Sequence, residues 1–185
     1  YYFDELNVLD LFAGTGNISF EFASRAVPNI TSVDAHQGCI QYINKVSEEF
    51  EFPINAIKSD VSKYLESASG KFDVIFADPP YFLSGGGKKI QGRSMVSVNK
   101  GDWDKLRSIG EIDEFNRQWI DACKPLLKDN GTIWACGTFH NIYSIEKCLK
   151  ETGFQIINII TWHKSDPTPT CGEIFRIIQT WFTPK

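Results

Sequence analysis

The 185-residue sequence predicts an α/β fold in which a mostly parallel seven-stranded sheet carries helices on both faces. Short apolar runs alternate with amphipathic runs of helical spacing through the first 80 residues, a pattern typical of buried parallel strands joined by helices. Acidic residues close two of the apolar runs. The last two apolar runs are joined by a loop with prolines and no helical pattern, so we expect them to pair as an antiparallel hairpin.

The predicted elements follow one another regularly. In the first half they are strand 7–12, helix 17–26, strand 30–34, helix 36–50, strand 53–58, helix 61–67 and strand 72–78. A polar segment with six glycines follows at 82–110, and so long a stretch without a periodic pattern is usually functional or disordered. The second half has helix 111–128, turn 129–131, strand 132–136, helix 142–152 and strands 154–162 and 173–182. With no internal repeat, the sequence predicts one domain, residues 1–185.

The composition is that of an ordinary globular protein, with 42% hydrophobic and 23% charged residues. No apolar run reaches the roughly 18–20 residues that a membrane-spanning helix needs, so we expect no membrane association. The five cysteines are scattered, odd in number and without a CxxC pair. This spacing argues against a metal site and favours a reducing, cytoplasmic location in which the cysteines are buried apolar side chains.

The charge of the chain is unevenly distributed. The net charge is −4, yet residues 81–110 contain six basic residues against two aspartates. A basic segment on an acidic body is one form of phosphate-contacting patch. A solvated loop explains the same pattern equally well.

A glycine loop, residues 12–16, follows the first predicted strand within the segment DLFAGTGN. Gly14 and Gly16 permit a tight turn and a close approach of a ligand to the backbone. Position 19, where a dinucleotide fingerprint would place its third glycine, is Ser19. The loop is therefore compatible with a NAD site, a site for S-adenosylmethionine (SAM) or a simple strand–helix turn.

Two further acidic positions indicate a nucleoside ligand. Asp34 closes the second predicted strand, 20 residues after Gly14, where a carboxylate accepts hydrogen bonds from ribose hydroxyls. Asp60 follows the third strand and could bind an adenine amino group while Val61 packs on the ring. Asp34 could instead be a helix N-cap or a solvated strand end. Asp60 is also a good N-cap for the helix that follows it, and this role is compatible with adenine binding.

The DPPY motif, residues 78–81, decides between these ligands. It lies at the carboxyl end of the fourth predicted strand, where open α/β sheets bind ligands. Two prolines fix the backbone and remove two N–H donors, so that carbonyl and carboxylate acceptors point outward. Such acceptors bind the two N–H groups of an exocyclic amino nitrogen and stabilise the positive charge that develops when it attacks a methyl sulfonium. Tyr81, with Phe82 beside it, offers a stacking surface for a base that has left its helix.

The sequence resembles class I SAM-dependent methyltransferases, and two of their families at once. Residues 6–81 resemble bacterial enzymes that methylate a guanine amino group of 16S ribosomal RNA, through NVLDLFAGTGNISFEFASR, ITSVDAHQGCI, IKSDV and FDVIFADPPY. Residues 78–164 resemble β-class DNA amino-methyltransferases, through DPPYFLS, MVSVNKGDWDK, EFNRQWIDACKPLLKDNGTIWACGTFHNIYSI and GFQIINIITWHK. The chain therefore resembles a chimera of the two families, joined at the DPPY motif.

The resemblance implies a Rossmann-like fold, SAM as the cofactor and a role for each matching position. The residues implied in cofactor binding are Asp10, Phe12, Gly14 and Gly16 at the methionine end, Asp34 at the ribose, and Asp60 and Val61 at the adenine. The implied catalytic residues are Asp78, Pro79, Pro80 and Tyr81, and the implied nucleic-acid contacts are Lys88, Lys89, Arg93 and Lys100. Residues 1–81 would then be the SAM-binding half, 82–110 a substrate loop and 111–185 the substrate-side half.

The expected activity is methylation of adenine N6 in DNA, because the substrate-side half resembles the DNA enzymes. Guanine N2 methylation of 16S ribosomal RNA is the alternative that the first half favours. Both families also place a segment over the SAM methionine, and the DNA family carries a target-recognition region. The sequence clearly matches neither this segment nor this region. A chimeric SAM-binding scaffold with little activity is therefore a further alternative. A NAD-dependent oxidoreductase would leave the DPPY motif unexplained.

Overall fold

The computed structural model describes residues 2–82, 88–91, 94–97, 105, 107–163 and 174–181. Seven strands form one sheet in the order β3-β2-β1-β4-β7-β9-β8, and β5 and β6 form a separate two-stranded hairpin. The strands are β1 Asn7–Leu11, β2 Asn29–Asp34, β3 Ile54–Lys58, β4 Phe72–Ala77, β5 Lys88–Gln91, β6 Ser94–Ser97, β7 Leu127–Gly137, β8 Gln155–His163 and β9 Ile174–Trp181. In the large sheet, β9 is antiparallel to both of its neighbours and the other pairings are parallel.

Five α-helices connect the strands: α1 Asn17–Ser24, α2 Gln37–Phe50, α3 Val61–Ser67, α4 Ile109–Cys123 and α5 Ile142–Thr152. Short 3-10 helices occupy Phe3–Glu5 and Lys124–Leu126. The start of α4 is fixed by a capping box, in which the Ser108 side chain accepts from the Glu111 N–H while the Glu111 carboxylate accepts from the Ser108 N–H. None of the helices in these described ranges is long and apolar enough to cross a membrane.

The sheet separates two apolar cores. The larger core contains side chains of α3, α4 and α5, with Trp119, Ile120 and Leu149 almost fully buried against the central strands. The smaller core is formed by β1, β2, β4 and α1, around Val8, Val27 and related side chains. Burial on both faces explains why β1 and β4 contain consecutive apolar residues, such as Val8-Leu9 and Val74-Ile75-Phe76, instead of alternating apolar and polar ones.

The predicted α/β fold, its seven-stranded sheet and the antiparallel hairpin of the last two strands are confirmed. Three local predictions were wrong. The segment 82–110 contains the β5–β6 hairpin, which its polar composition does not reveal. The helix predicted at 111–128 begins at Ile109, because Ser108 caps it, and gives way at Lys124 to a 3-10 helix that contains Pro125.

The third difference concerns the turn predicted at 129–131, which lies inside β7. Asn130 does adopt the left-handed backbone that a turn requires, with φ of 67°. The pairing with β4 jumps across it, since Phe72 pairs with Leu127 while Val74 pairs with Thr132. The turn signal therefore marks a bulge within a strand that continues on both sides.

Candidate active site at the carboxyl edge of the sheet

The strand order places the predicted site residues along one edge. The chain order of the strands reverses between β1 and β4, and the carboxyl ends of adjacent parallel strands on either side of such a reversal form a ligand-binding crevice. The glycine loop follows β1, Asp34 ends β2, and residues 78–82, hereafter the DPPY loop, follow β4. The loop between β7 and α5 leaves the same edge, because β7 is parallel to β4.

The glycine loop is held by hydrogen bonds to β2. The Ala13 N–H donates to the Val33 carbonyl over 3.1 Å, and the Gly14 N–H donates to Asp34 Oδ2 over 2.8 Å. Gly16 has a φ of 82°, and a Cβ at this position would lie 2.7 Å from Ile43 Cγ1. Both its backbone and its surroundings therefore require glycine.

Asp34 is a half-buried residue that fixes the loop rather than a helix cap. Besides accepting from Gly14, its Oδ1 accepts from the His36 N–H over 2.7 Å. The N-cap of α2 is His36, whose Nδ1 accepts from the Cys39 N–H over 3.3 Å. The N-cap alternative for Asp34 was therefore wrong, whereas its contact with a ribose stays a prediction.

Asp60 and Val61 begin α3. Asp60 Oδ1 accepts from the Ser62 N–H over 3.0 Å and from the Lys63 N–H over 3.3 Å, which confirms the N-cap alternative. Val61 is buried in the larger core, with 5% of its surface exposed. Binding of adenine by these two residues remains a prediction.

Asp10 is a residue of β1 whose side chain is covered by α1 and β2, and only 1% of its surface is exposed. The Ser19 hydroxyl donates to Asp10 Oδ2 over 2.6 Å and lies 2.6 Å from the Ser32 hydroxyl. The pKa of Asp10 is raised to about 7, mainly by burial and further by the Asp78 and Asp34 carboxylates, against the hydrogen bonds from Ser19, which lower it. Three carboxylates thus interact electrostatically at this edge. In this arrangement Asp10 joins β1 to α1 through Ser19, and its contact with a cofactor stays a prediction.

Two phenylalanines with left-handed backbones join the glycine loop and the DPPY loop to α4. Phe12 has a φ of 59° and Phe82 a φ of 55°. Their ring centroids lie 6.1 Å and 5.2 Å from that of Phe115. Phe82 is buried, so the expectation that it helps Tyr81 to stack on a base is wrong. The Arg107 guanidinium covers this cluster, 4.6 Å from the Phe82 ring centroid.

The DPPY loop presents an exposed carboxylate at the edge. Asp78 is exposed, Pro79 is buried, and Tyr81 is half-buried. The Tyr81 hydroxyl donates to Asp78 Oδ1. The Asp78 N–H donates to the Leu11 carbonyl over 3.3 Å, which anchors the start of the loop to β1.

Asn141 is a supporting residue that the sequence did not reveal. It is fully buried, and its Nδ2 donates to the Pro80 carbonyl over 3.2 Å. Its Oδ1 accepts from the Thr138 N–H over 3.0 Å. Asn141 thereby ties the DPPY loop to the β7–α5 loop, residues 138–141. Its place immediately before the predicted helix was the available signal, but that position suggests only a helix cap.

The predicted nucleic-acid contacts are only partly within the described residues. The backbones of Lys88 and Lys89 lie in β5, paired with Ser97 and Val96 of β6. Arg93 and Lys100 lie outside the described residues. No group of histidine, cysteine, aspartate or glutamate side chains in the described part of the chain is arranged to hold a metal ion.

The fold is that of the Rossmann-like class I methyltransferases. It resembles TrmN from Thermus thermophilus with a TM-score of 0.68 at 16% identity, covering 95% of this chain and 43% of that one. It also resembles magnesium protoporphyrin IX methyltransferase from Synechocystis PCC 6803, solved with bound SAM, with a TM-score of 0.64 at 15% identity, covering 95% of this chain and 69% of that one.

The chain belongs to the DNA methylase family, whose model matches residues 72–176. A second family model, described as conserved hypothetical protein 95, matches residues 1–92. The two matches overlap at the DPPY motif, which confirms the double resemblance read from the sequence.

Curated relatives match the chain over about three-fifths of its length. The Type II methyltransferase M2.DpnII of Streptococcus pneumoniae is 52% identical over 114 residues, which cover 61% of this chain and 42% of that protein. The Type II methyltransferase M2.MboI of Moraxella bovis is 54% identical over 110 residues, which cover 59% of this chain and 40% of that protein. The chain thus spans about two-fifths of the length of these relatives.

Proposed function

We propose that the chain binds SAM and methylates an exocyclic amino nitrogen of a nucleic-acid base, adenine N6 in DNA. The observation that carries the proposal is the DPPY loop beside the glycine loop, at the point where the strand order reverses. DNA is favoured because the DNA methylase model covers the substrate-side half of the chain. The names of the relatives, Type II methyltransferases, support the same activity.

The glycine-loop edge suits SAM better than a dinucleotide. A Cβ built on Gly14 would meet no atom within 4 Å, so the space in front of this backbone is open to a ligand. The Asp34 and Asp78 carboxylates give the edge a negative potential, and Asp10, whose pKa burial raises to about 7, adds only a partial charge near neutral pH. SAM carries a positive sulfonium and supplies an activated methyl group, whereas the pyrophosphate of NAD would be repelled. Asp34 would hold the ribose, and Asp60 with Val61 would face the adenine.

The DPPY loop would orient the acceptor nitrogen. The Asp78 carboxylate and the Pro79 carbonyl accept its two N–H groups, which directs the nitrogen lone pair toward the methyl group. The nitrogen–methyl bond forms as the sulfur–methyl bond breaks, and the proton that the nitrogen must lose can pass to Asp78. The Tyr81 hydroxyl donates to Asp78 Oδ1, and the carboxylate has further acceptor sites for the amino nitrogen. The half-buried Tyr81 ring beside it would stack on the base.

Methylation of guanine N2 in ribosomal RNA is the second candidate, favoured by the separate family match over residues 1–92. A transfer assay with tritiated SAM distinguishes the two, using single-stranded DNA, duplex DNA and small-subunit ribosomal RNA, with the methylated nucleoside identified by mass spectrometry. We expect N6-methyladenine from DNA. N2-methylguanine from RNA alone would select the second candidate.

Calorimetry separates binding from turnover. We expect SAM and its demethylated product to bind, and NADH to bind far more weakly. SAM binding without transfer to any of the three nucleic acids would leave only the cofactor-binding scaffold.

We also infer a reducing, cytoplasmic location, supported by the four described cysteines, Cys39, Cys123, Cys136 and Cys148, which are all free.

A further inference from the structure

The β7–α5 loop exposes an aromatic pair at the edge that holds the DPPY loop. Half of the Phe139 surface is exposed, and His140 is also exposed. Their ring centroids lie 3.8 Å apart with an interplanar angle of 35°. An exposed aromatic surface at the edge that carries the DPPY loop is available to stack on a nucleic-acid base.

The pair stands on a rigid support. Asn141, two residues after Phe139, is fully buried and bonds both the Pro80 carbonyl and the Thr138 N–H. Gly137, at the other end of the loop, packs so closely that a Cβ there would lie 2.8 Å from Asn141 Oδ1. The backbone that carries the aromatic pair is therefore tied to the DPPY loop, which suits a contact surface for an oriented substrate.

A positive charge lies beside the same loop. Arg176 of β9 pairs with Gly137 across the sheet. Its Nη1 donates to the Tyr143 hydroxyl over 2.9 Å, and its guanidinium lies 5.6 Å from the Tyr143 ring centroid. Tyr143 is exposed in the first turn of α5. Aromatic surfaces next to a guanidinium are the combination that single-stranded nucleic acids bind, through base stacking and phosphate contact.

We propose that the β7–α5 loop binds the nucleotide next to the target base, with its base stacked on the Phe139–His140 pair and its phosphate near Arg176. The inference rests on the proposed function only in that the target base occupies the DPPY loop. It adds a second contact surface, which holds the strand while the target base is out of its helix.

The first test measures binding of fluorescent single-stranded DNA oligonucleotides that contain one adenine, in the presence of demethylated SAM, so that no turnover is needed. Phe139→Ala should weaken oligonucleotide binding about 5- to 100-fold. Phe139→Trp should restore it, and the affinity for SAM should stay unchanged in both variants.

Phe50→Ala is the matched control. Phe50 is 60% exposed and its ring stacks on Phe52 at 5.7 Å, but it ends α2 at the amino edge of the sheet. Its loss should leave oligonucleotide binding unchanged. Equal losses in Phe50→Ala and Phe139→Ala would overturn the proposal, because they would show a nonspecific effect of surface aromatics.

The second test removes the base instead of the side chain. An abasic site next to the adenine should weaken binding to the wild-type chain but not to Phe139→Ala. Three results would each overturn the stacking contact: an equal effect of the abasic site on both chains, a difference between the chains only when the adenine itself is removed, or no binding of any oligonucleotide by the wild-type chain. If the abasic site next to the adenine affects the two chains differently but no methyl group is transferred, the contact stands and the proposed enzymatic activity is refuted.

Discussion

The glycine loop and the DPPY loop follow adjacent parallel strands, yet they are held in different ways. Each contains a phenylalanine with a left-handed backbone, and both rings pack on Phe115 of α4. The glycine loop is fixed by backbone donors that reach β2 and the Asp34 carboxylate. The DPPY loop has lost two donors to proline, and side chains such as Asn141 hold it instead. We conclude that the first loop is held by its own backbone N–H groups, whereas the second depends on a donor side chain, that of Asn141, 61 residues away.

The largest effect should come from Asp78→Ala in the DPPY loop. Because Asp78 is exposed and its side chain belongs to no core, its loss should remove an acceptor at the reacting nitrogen without unfolding the chain. We expect the rate constant of methyl transfer to fall roughly 10³-fold, the scale seen when one electrostatic contact is removed from a transition state. Single-turnover transfer measures the rate constant, and calorimetry with SAM shows whether the folded chain still binds the cofactor. The control is Asp129→Ala, which removes another exposed aspartate, in the bulge of β7.

The difference between the two loops also shows which features of the fold and of the site the sequence predicts. The order and type of the main elements are encoded locally, by apolar periods and by the residues that end them. The sequence also predicts the glycine loop, since Gly14 and Gly16 indicate a tight turn. It does not predict what supports the DPPY loop, because the contact of Asn141 with Pro80 joins positions 61 residues apart. The burial of Phe82 depends in the same way on Phe115 of α4, so neighbouring sequence suggested the wrong role.

The free energy of unfolding should depend on pH through Asp10, which precedes the glycine loop in β1. Burial raises the pKa of Asp10 to about 7, so between about pH 4 and 7 the folded chain keeps a proton that the unfolded chain has released. Raising the pH through this window therefore destabilises the fold, by about 3 kcal/mol between pH 5 and 8. Urea unfolding of wild type and Asp10→Asn across this range measures the difference.

Asp10→Asn should lose most of this slope, because an amide does not titrate. Glu111 and Asp113 have lowered pKa values and act in the opposite sense, but below this range and equally in both chains. Parallel stability curves for the two chains would contradict the assignment of the proton to Asp10.

Gly16→Ala tests whether backbone geometry determines the glycine loop. The new Cβ would need the left-handed φ of 82° and would lie 2.7 Å from Ile43 Cγ1, so we expect a loss of about 2 kcal/mol in the free energy of unfolding. Gly14→Ala is the matched control, with a φ of 54° but open space around its Cβ. It should destabilise the chain by only about 1 kcal/mol. Similar losses in both variants would contradict the role assigned to the close contact between position 16 and Ile43.

Asn141→Ala gives the smallest and most specific test of the comparison. The DPPY loop should lose its anchor at Pro80, so the rate constant of methyl transfer should fall about tenfold, the equivalent of one hydrogen bond of roughly 1.4 kcal/mol. The affinity for SAM should stay unchanged, because the glycine loop has its own supports.

Asn116→Ala is the control for the loss of a buried amide. Asn116 is equally buried and also forms two hydrogen bonds, donating to Ser144 Oγ over 3.0 Å and accepting from Trp119 Nε1 over 3.1 Å. Asn116→Ala and Asn141→Ala should lower the free energy of unfolding by similar amounts, about 1–3 kcal/mol each. In Asn116→Ala, however, methyl transfer should continue at the wild-type rate. A rate that falls equally in both variants would mean that global stability, rather than the position of the DPPY loop, limits the reaction. The distinction between the two loops would then fail.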